Sequence, residues 1–162
     1  VPAPGRYGGG ALLTGVNALS YQHIPVNPQR GALGVWVQPL WDGNDRQTHV
    51  FLDVGTPTAG IRLSKDGANN LRFQIWSPAG ESDLAYSAAG WQRGQWHHVG
   101  GIWTPDGHME LLVDGRVVGR RVARLLPTVA DTIYVGEYAD GTLNCDCVLD
   151  EVSVSSGTVT VQ

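Results

Sequence analysis

The stretch "GQWHHVGGIWTPDGHMELLVDGRVVG", residues 94–119, decides the fold. Its first part alternates, so that neighbouring side chains such as His97 and His98 are expected on opposite faces of one strand. A second alternating segment follows the Pro-Asp-Gly turn, and the Asp-Gly pair at 114–115 predicts a tight hairpin because type I′ turns need positive φ at both central residues. The stretch therefore predicts a three-stranded antiparallel meander.

The same period of two recurs along the chain, between clusters of Gly, Pro, Asn and Asp. The alternating or nearly alternating segments include HVFLDVG, GIRLSKDG, NLRFQIWS, DTIYVGEY and DEVSVSS. With 22 glycines and 9 prolines spread along the chain, no helix of ordinary size fits comfortably. These features predict an all-β protein, an antiparallel two-sheet β-sandwich or jelly roll.

Composition predicts one domain over residues 1–162, since the chain is 42% hydrophobic and long enough to bury a core. The opening residues 1–10, "VPAPGRYGGG", are expected to be a flexible or linker-like start. A formal charge of −4 without a Lys/Arg cluster argues against nucleic acid as a partner. No apolar run is long enough to span a bilayer, so membrane insertion is not expected.

The chain has two cysteines, Cys145 and Cys147, in "LNCDCVLDE". In a strand, residues two apart share a face with their Cα atoms about 6.6 Å apart and their Cβ vectors parallel, which suits a disulfide poorly. Two buried free thiols are the preferred interpretation. An intermolecular disulfide and half of a metal site remain as alternatives.

Four segments, taken in order from about residue 5 to residue 156, resemble the laminin G-like group of concanavalin A-like lectin and glucanase jelly rolls. They are "GGGALLTG", "GALGVWVQP", the "WHHV…LLVDG" stretch and "IYVGEYADGTLNCDCVLDEVSVSS". The resemblance implies a concanavalin A-like fold in which Trp36 and Trp96 are core residues and His98 is structural. The group usually has a further strand before its opening motif, and this chain is expected to lack that strand.

The resemblance also raises the question of catalysis, because glycosidases of this fold use two facing carboxylates. The Glu-x-Asp-x-x-Glu pattern of the laminarinase-like branch is absent from the sequence. Leu149 and Val152 are three residues apart, yet both are expected in the core. A β-bulge at Asp150 and Glu151 is therefore expected to restore the phase for Val154. Because two neighbouring histidines on one strand point apart, they do not form a catalytic pair, and the chain is predicted not to be an enzyme.

Tryptophan is abundant, with six residues in the chain. Trp41, Trp76 and Trp91 lie near predicted loops or strand ends, where an indole could offer a face to a sugar ring. They are the predicted ligand-binding residues. The alternative is that each packs beneath a loop.

Calcium is the candidate cofactor, because "WDGNDRQ" is an oxygen-rich loop. The resemblance to the pentraxin relatives implies Asn44 and Asp45 as one group of ligands and Asp140 as the other. Tyr138 stands where those relatives carry a glutamate, which implies a weaker site. The alternative is that Asp42, Asn44 and Asp45 only form turns.

Together these features predict a non-catalytic extracellular or cell-surface recognition domain that binds a glycan or a protein, with calcium as a candidate ligand. The alternative function is a structural subunit or decoration component of an extracellular or virion assembly, built from the jelly roll. The missing first strand favours that alternative, because an incomplete sheet edge invites a strand from a neighbouring chain. Partners would then include copies of this chain or neighbouring domains of a longer one.

Overall fold

A computed structural model describes residues 1–15, 18–22, 26–27, 29–56, 58–122, 132–142 and 144–155. The described residues form thirteen strands and no helix. The strands are β1 (Pro2–Pro4), β2 (Gly9–Leu13), β3 (Leu19–Tyr21), β4 (Gly31–Pro39), β5 (His49–Thr56), β6 (Ala59–Lys65), β7 (Asn70–Ser77), β8 (Gly80–Ser87), β9 (His97–Trp103), β10 (His108–Val113), β11 (Arg116–Val122), β12 (Ile133–Val135) and β13 (Cys147–Ser155).

Two antiparallel sheets pack face to face, which confirms the predicted β-sandwich. The seven-stranded sheet has the order β1-β2-β13-β4-β9-β10-β11. The six-stranded sheet has the order β3-β12-β5-β6-β7-β8. Within the described ranges, the structure contains no helix of the length and apolarity that crossing a membrane would need.

The core follows from alternation on the inner strands of both sheets. Val35 and Val37 of β4 are fully buried on one side, and Leu63 and Phe73 of the other sheet are fully buried on the opposite side. The sheets approach closely where the Phe73 ring covers Gly101, since a Cβ on this glycine would lie 2.6 Å from the ring. The apolar surface removed from water between the sheets is the main stabilising term of the fold.

Two local predictions are confirmed. Asp114 and Gly115, with φ angles of 51° and 80°, form the tight turn between β10 and β11. The pairing of β13 with β4 shifts register between Asp150 and Ser153, and Glu151 has a φ of 50° there. This is the predicted bulge, but Val152 is 37% exposed, so the expectation that this side chain lies in the core is wrong.

The start of the chain differs from its prediction. Residues 2–4 form β1, which pairs antiparallel with β2, so the expectations of a linker-like start and of a missing first strand are wrong. The strand lies at the edge of its sheet, where Pro2 and Pro4 lack the N–H that a further strand would need. This edge is therefore protected against strand addition from a neighbour.

Cys145 and Cys147 form a disulfide, so the preferred interpretation of two free thiols is wrong. The reason is Asp146, whose φ of 47° takes the segment out of the extended conformation on which that interpretation depended. The two Cα atoms lie 5.2 Å apart, a separation that a disulfide spans. Both cysteines are fully buried in the hydrophobic core.

Four aromatic rings stack in one column at the rim of the sandwich, which we call the rim column. His49 stacks on Trp41 at 4.3 Å between ring centroids, Trp41 on Trp91 at 6.2 Å, and Trp91 on His97 at 4.1 Å. At the His49 end of the column, Asp45 Oδ2 is hydrogen-bonded to His49 Nε2 at 2.6 Å. Because Trp41 and Trp91 come from different loops and His49 and His97 from different sheets, the column joins the two sheets.

The disulfide predicts the thiol content of the chain. Titration of the unfolded, unreduced protein should find no free thiol, and titration after reduction should find two. Mass spectrometry of the unreduced sample should give the monomer mass, which excludes a bond between chains. Two free thiols in the unreduced sample would contradict the pairing.

The free energy of unfolding should decrease as the pH is lowered below neutrality, because two histidines have lowered pKa values in the folded protein. Burial lowers the pKa values of His49 and His98 below 6.5, with nearby carboxylates opposing part of this effect. Below about pH 6.5 the unfolded chain therefore binds more protons than the native one, and the free energy of unfolding decreases as pH falls. We expect a lower urea midpoint at pH 5.5 than at pH 7.5, and a smaller difference in His98→Gln. Equal midpoints at both pH values would contradict this assignment.

Candidate functional site

The three tryptophans predicted to bind ligand differ in their exposure to solvent. Trp41 and Trp91 are only 4% and 7% exposed, because both belong to the rim column. The expectation that they present an indole face at the surface is therefore wrong. Trp76 remains half-buried on β7, and it lies beside a surface groove.

Trp36 and Trp96 are less buried than predicted. The resemblance implied that both are core residues, but both are half-buried. Trp36 lies between the inward-facing residues Val35 and Val37, so its own side chain points away from the core. The tryptophans predicted at the surface and those predicted in the core have thus largely exchanged places. Loop tryptophans fill the rim, and a strand tryptophan lies on an outer face.

The Trp76 groove lies on the outer face of the six-stranded sheet and has a volume of about 470 Å³. Its floor comes from β6 and β7, where Gly60 lies beneath the indole and allows it to lie close to the sheet. Gln74 donates to Glu81 across the groove at 2.8 Å between Nε2 and Oε1. The groove is lined by Thr58, Arg62, Gln74, Trp76, Ser77, Gly80 and Glu81.

Arg62 is fixed at the inner end of this groove. Its guanidinium carbon lies 4.5 Å from the Trp76 ring centroid and 4.1 Å from that of Tyr138, so the cation is held between two aromatic faces. Its nitrogens donate to both oxygens of the buried Asp53 at 3.2 and 3.4 Å. The charge of Arg62 is therefore already neutralised, and the groove presents one indole with neutral and acidic hydrogen-bonding groups.

The predicted calcium ligand Asp45 already contacts an ammonium and an imidazole. Its Oδ1 accepts a hydrogen bond from Lys65 at 2.6 Å, and its Oδ2 contacts His49. Partial burial alone would raise the pKa of Asp45, but hydrogen bonds from Lys65, Gln47 and His49 outweigh burial and lower it. The Lys65 ammonium is fully buried and also donates to the carbonyl oxygens of Gln47 and Asp66 and to Asn69 Oδ1.

The other predicted ligands contribute little to a metal site. Asn44 is exposed, and Asp140 accepts hydrogen bonds from the backbone and hydroxyl of Thr142, which hold its pKa below the ordinary value. Over the described ranges no three His, Cys, Asp or Glu side chains are grouped to hold a metal ion. The Lys65 ammonium already binds one oxygen of Asp45 in this loop, and calcium binding by Asn44, Asp45 and Asp140 stays a prediction.

The two neighbouring histidines lie on opposite faces of their strand, and the carboxylate of Asp150 is hydrogen-bonded to the backbone. His97 stacks on Trp91 in the rim column, whereas His98 contacts Trp36 on the outer face, as their positions on one strand predict. The buried Asp150 accepts the backbone N–H groups of Tyr7 and Glu151, one on each carboxylate oxygen. Asp150 thus has a structural position, whereas the Glu151 side chain is exposed.

Sequence reasoning missed Arg62 and Asp53 as a pair. Each is a charged residue between two apolar neighbours in its strand, within "IRLS" and "FLDV". An alternating strand places such a residue on the outer face, so this signal was available. Their register, Asp53 opposite Arg62, could not be obtained from either strand alone. The same holds for Lys65, whose oxygen ligands come from two separate loops.

Replacing Lys65 should destabilise the fold strongly. Lys65→Met leaves the Asp45 carboxylate without its ammonium, and breaking a buried ion pair costs about 3–5 kcal/mol. Urea unfolding at pH 7.5 would measure this loss. The double variant Asp45→Asn, Lys65→Met should recover part of it, since no charge then remains unpaired. An unchanged unfolding free energy in Lys65→Met would contradict the assigned role.

Similar solved structures share the fold at low sequence identity. The binding domain of botulinum neurotoxin serotype D is 12% identical, with a TM-score of 0.67 over 89% of this chain. The receptor binding domain of the C/D mosaic serotype is 11% identical, with a TM-score of 0.66 over 82% of this chain. The binding domain of neurotoxin DC, solved in complex with SialylT, is 15% identical, with a TM-score of 0.63 over 82%.

This chain covers 40%, 34% and 33% of those three structures, well under half of each. No curated protein matches the sequence. A family model described as the concanavalin A-like lectin/glucanases superfamily, of laminin G type, matches residues 13–162. The chain therefore belongs to the concanavalin A-like lectin/glucanase superfamily.

Proposed function

We propose that this domain binds a carbohydrate without catalysis, in the Trp76 groove. The observation that carries the proposal is the position of Trp76, a half-buried indole on an outer sheet face beside hydroxyl, amide and carboxylate groups. A sugar ring has an apolar face and a rim of hydroxyl groups. The indole offers contact area to the first, and Gln74 and Glu81 offer hydrogen bonds to the second.

The charge of the groove favours a neutral sugar. Arg62 is paired with Asp53, so it has little net attraction left for an anion. Glu81 adds a carboxylate that would repel one. The ligand class supported here is a neutral oligosaccharide.

An extracellular or cell-surface location is part of this proposal. The disulfide between Cys145 and Cys147 supports it, because disulfides persist in oxidising compartments. The similar structures are described as binding or receptor binding domains, one of them in a complex with SialylT. The assembly alternative no longer draws support from a missing first strand, since β1 pairs with β2 at that edge.

The test is a titration of the labelled protein with neutral oligosaccharides, followed by NMR at the indole N–H groups. A ligand found on a glycan array should shift the Trp76 resonance. Trp76→Ala should weaken its binding by roughly tenfold or more, which corresponds to about 1.4 kcal/mol or more. Tyr86→Ala, an exposed aromatic residue on β8 outside the groove, is the matched control and should bind normally.

Binding that survives Trp76→Ala unchanged would overturn the site. Release of sugar fragments during the titration would overturn the non-catalytic part of the proposal.

A further inference from the structure

A second aromatic surface lies on the outer face of the other sheet. We call Arg6, Tyr7, Trp36 and His98 the Trp36 platform. The Trp36 indole meets the Tyr7 ring edge-to-face at 6.0 Å between centroids and the His98 ring at 5.3 Å. Tyr7 is 56% exposed, although an aromatic side chain gains stability from burial. The core does not require either ring, since Val35 and Val37 fill the inner side of β4.

Arg6 brings a positive charge to this surface. Its guanidinium carbon lies 5.0 Å from the Tyr7 ring centroid and 5.1 Å from that of Trp36. No carboxylate among the described residues pairs with it, whereas Arg62 on the opposite sheet is paired with Asp53. A guanidinium presents several N–H donors in a fixed plane that matches a carboxylate. Arg6 is thus an exposed cation held beside two rings, without a salt bridge to a described carboxylate.

The segment that carries Arg6 and Tyr7 is fixed to the sheet. Asp150, only 7% exposed, accepts the Tyr7 N–H at 2.9 Å, and Gly5 N–H donates to Gly8 O at 2.9 Å. Gly5 approaches so closely that a Cβ there would lie 2.5 Å from Asp150 Oδ2. The loop is therefore positioned by a buried carboxylate, which reduces the ordering cost of binding a ligand.

Beside the rings, Gly34 and Gly100 pair directly next to the Trp36–His98 pair, so two neighbouring positions carry no side chain of their own. The His98 ring and Ser153 Oγ occupy the space over Gly34, at 3.2 and 3.0 Å from the position of a Cβ on this glycine. Burial lowers the pKa of His98, so the imidazole is neutral at pH 7 and has one donor and one acceptor nitrogen. The described residues show no hydrogen bond to either of its ring nitrogens.

We infer that the Trp36 platform is a second ligand site, separate from the Trp76 groove, that takes a carboxylated saccharide. Arg6 pairs with the sugar carboxylate, and the Tyr7 and Trp36 rings contact the apolar face of the pyranose. His98 and Ser153, which lie over Gly34 beside the rings, meet its hydroxyl groups. The charge distinguishes the two sites, because only this one has an unpaired cation beside its aromatic rings.

The experiment uses a panel of sialylated, glucuronate and galacturonate oligosaccharides, each beside its carboxyl-reduced neutral form. NMR titration of the labelled chain follows the Trp36 indole N–H and the Tyr7 amide. We expect at least one acidic sugar to shift both signals. Its carboxyl-reduced form should bind roughly tenfold more weakly or worse, because the charge-assisted pair with Arg6 is lost.

Variants separate this site from the Trp76 groove. Arg6 and Tyr7 are both exposed. Arg6→Gln and Tyr7→Ala should each weaken binding of the acidic sugar by roughly tenfold, about 1.4 kcal/mol. Tyr7→Phe keeps the ring and should bind normally, and Trp76→Ala should leave this binding unchanged. Loss of neutral-sugar binding in Trp76→Ala then tests the other site independently.

Three outcomes would overturn the inference. The first is that no acidic sugar shifts the Trp36 and Tyr7 signals at millimolar concentration. The second is that Arg6→Gln or the carboxyl-reduced sugar binds as well as its parent. The third is that an Asp/Glu-rich peptide shifts these signals at lower concentration than every saccharide, which would assign the platform to a protein partner.

Discussion

The rim of the sandwich depends on the burial of one ammonium group. A buried charge is costly unless it is paired and hydrogen-bonded, so the loops around Lys65 must supply oxygens from Asp45, Gln47, Asp66 and Asn69. This requirement fixes the loop before β5 against the turn after β6. It also places the ammonium 5.4 Å from the ring centroid of Trp41. The loop that contains Asp45 resembles a metal-ion site in sequence, and in the structure its carboxylate binds the ammonium of Lys65.

Other stabilising contacts gather at the same rim. The Trp41 indole donates to the carbonyl of Cys145 at 3.0 Å, which joins the rim column to the disulfide segment. The loop of Trp91 is held by Gly43 N–H, which donates to Trp91 O, and by Asp42, which accepts Arg93 N–H. Side chains that sequence patterns associate with binding are used here to lock loops together. The two proposed sites accordingly lie on the outer sheet faces and not at this rim.

The two outer faces carry the same kind of aromatic residue in different electrostatic settings. Arg62 beside Trp76 is neutralised by Asp53, whereas Arg6 beside Trp36 has no carboxylate partner among the described residues. An aromatic ring supplies contact area to almost any sugar, so the neighbouring charge decides which sugar is favoured. One sandwich can thus present two sites of different specificity without any change to its core.

The sequence by itself determined the alternation that builds both sheets, the Asp114-Gly115 hairpin, the bulge at Asp150 and the family. These features depend on residues close together in the chain, where side-chain period and backbone φ preferences act directly. Only the tertiary structure decided that Trp41 and Trp91 are buried, that Lys65 fills the Asp45 loop, and that Asp146 turns the backbone so that two cysteines bond. The physical reason is that burial and pairing depend on contacts between loops and sheets distant in sequence, which a local pattern does not contain.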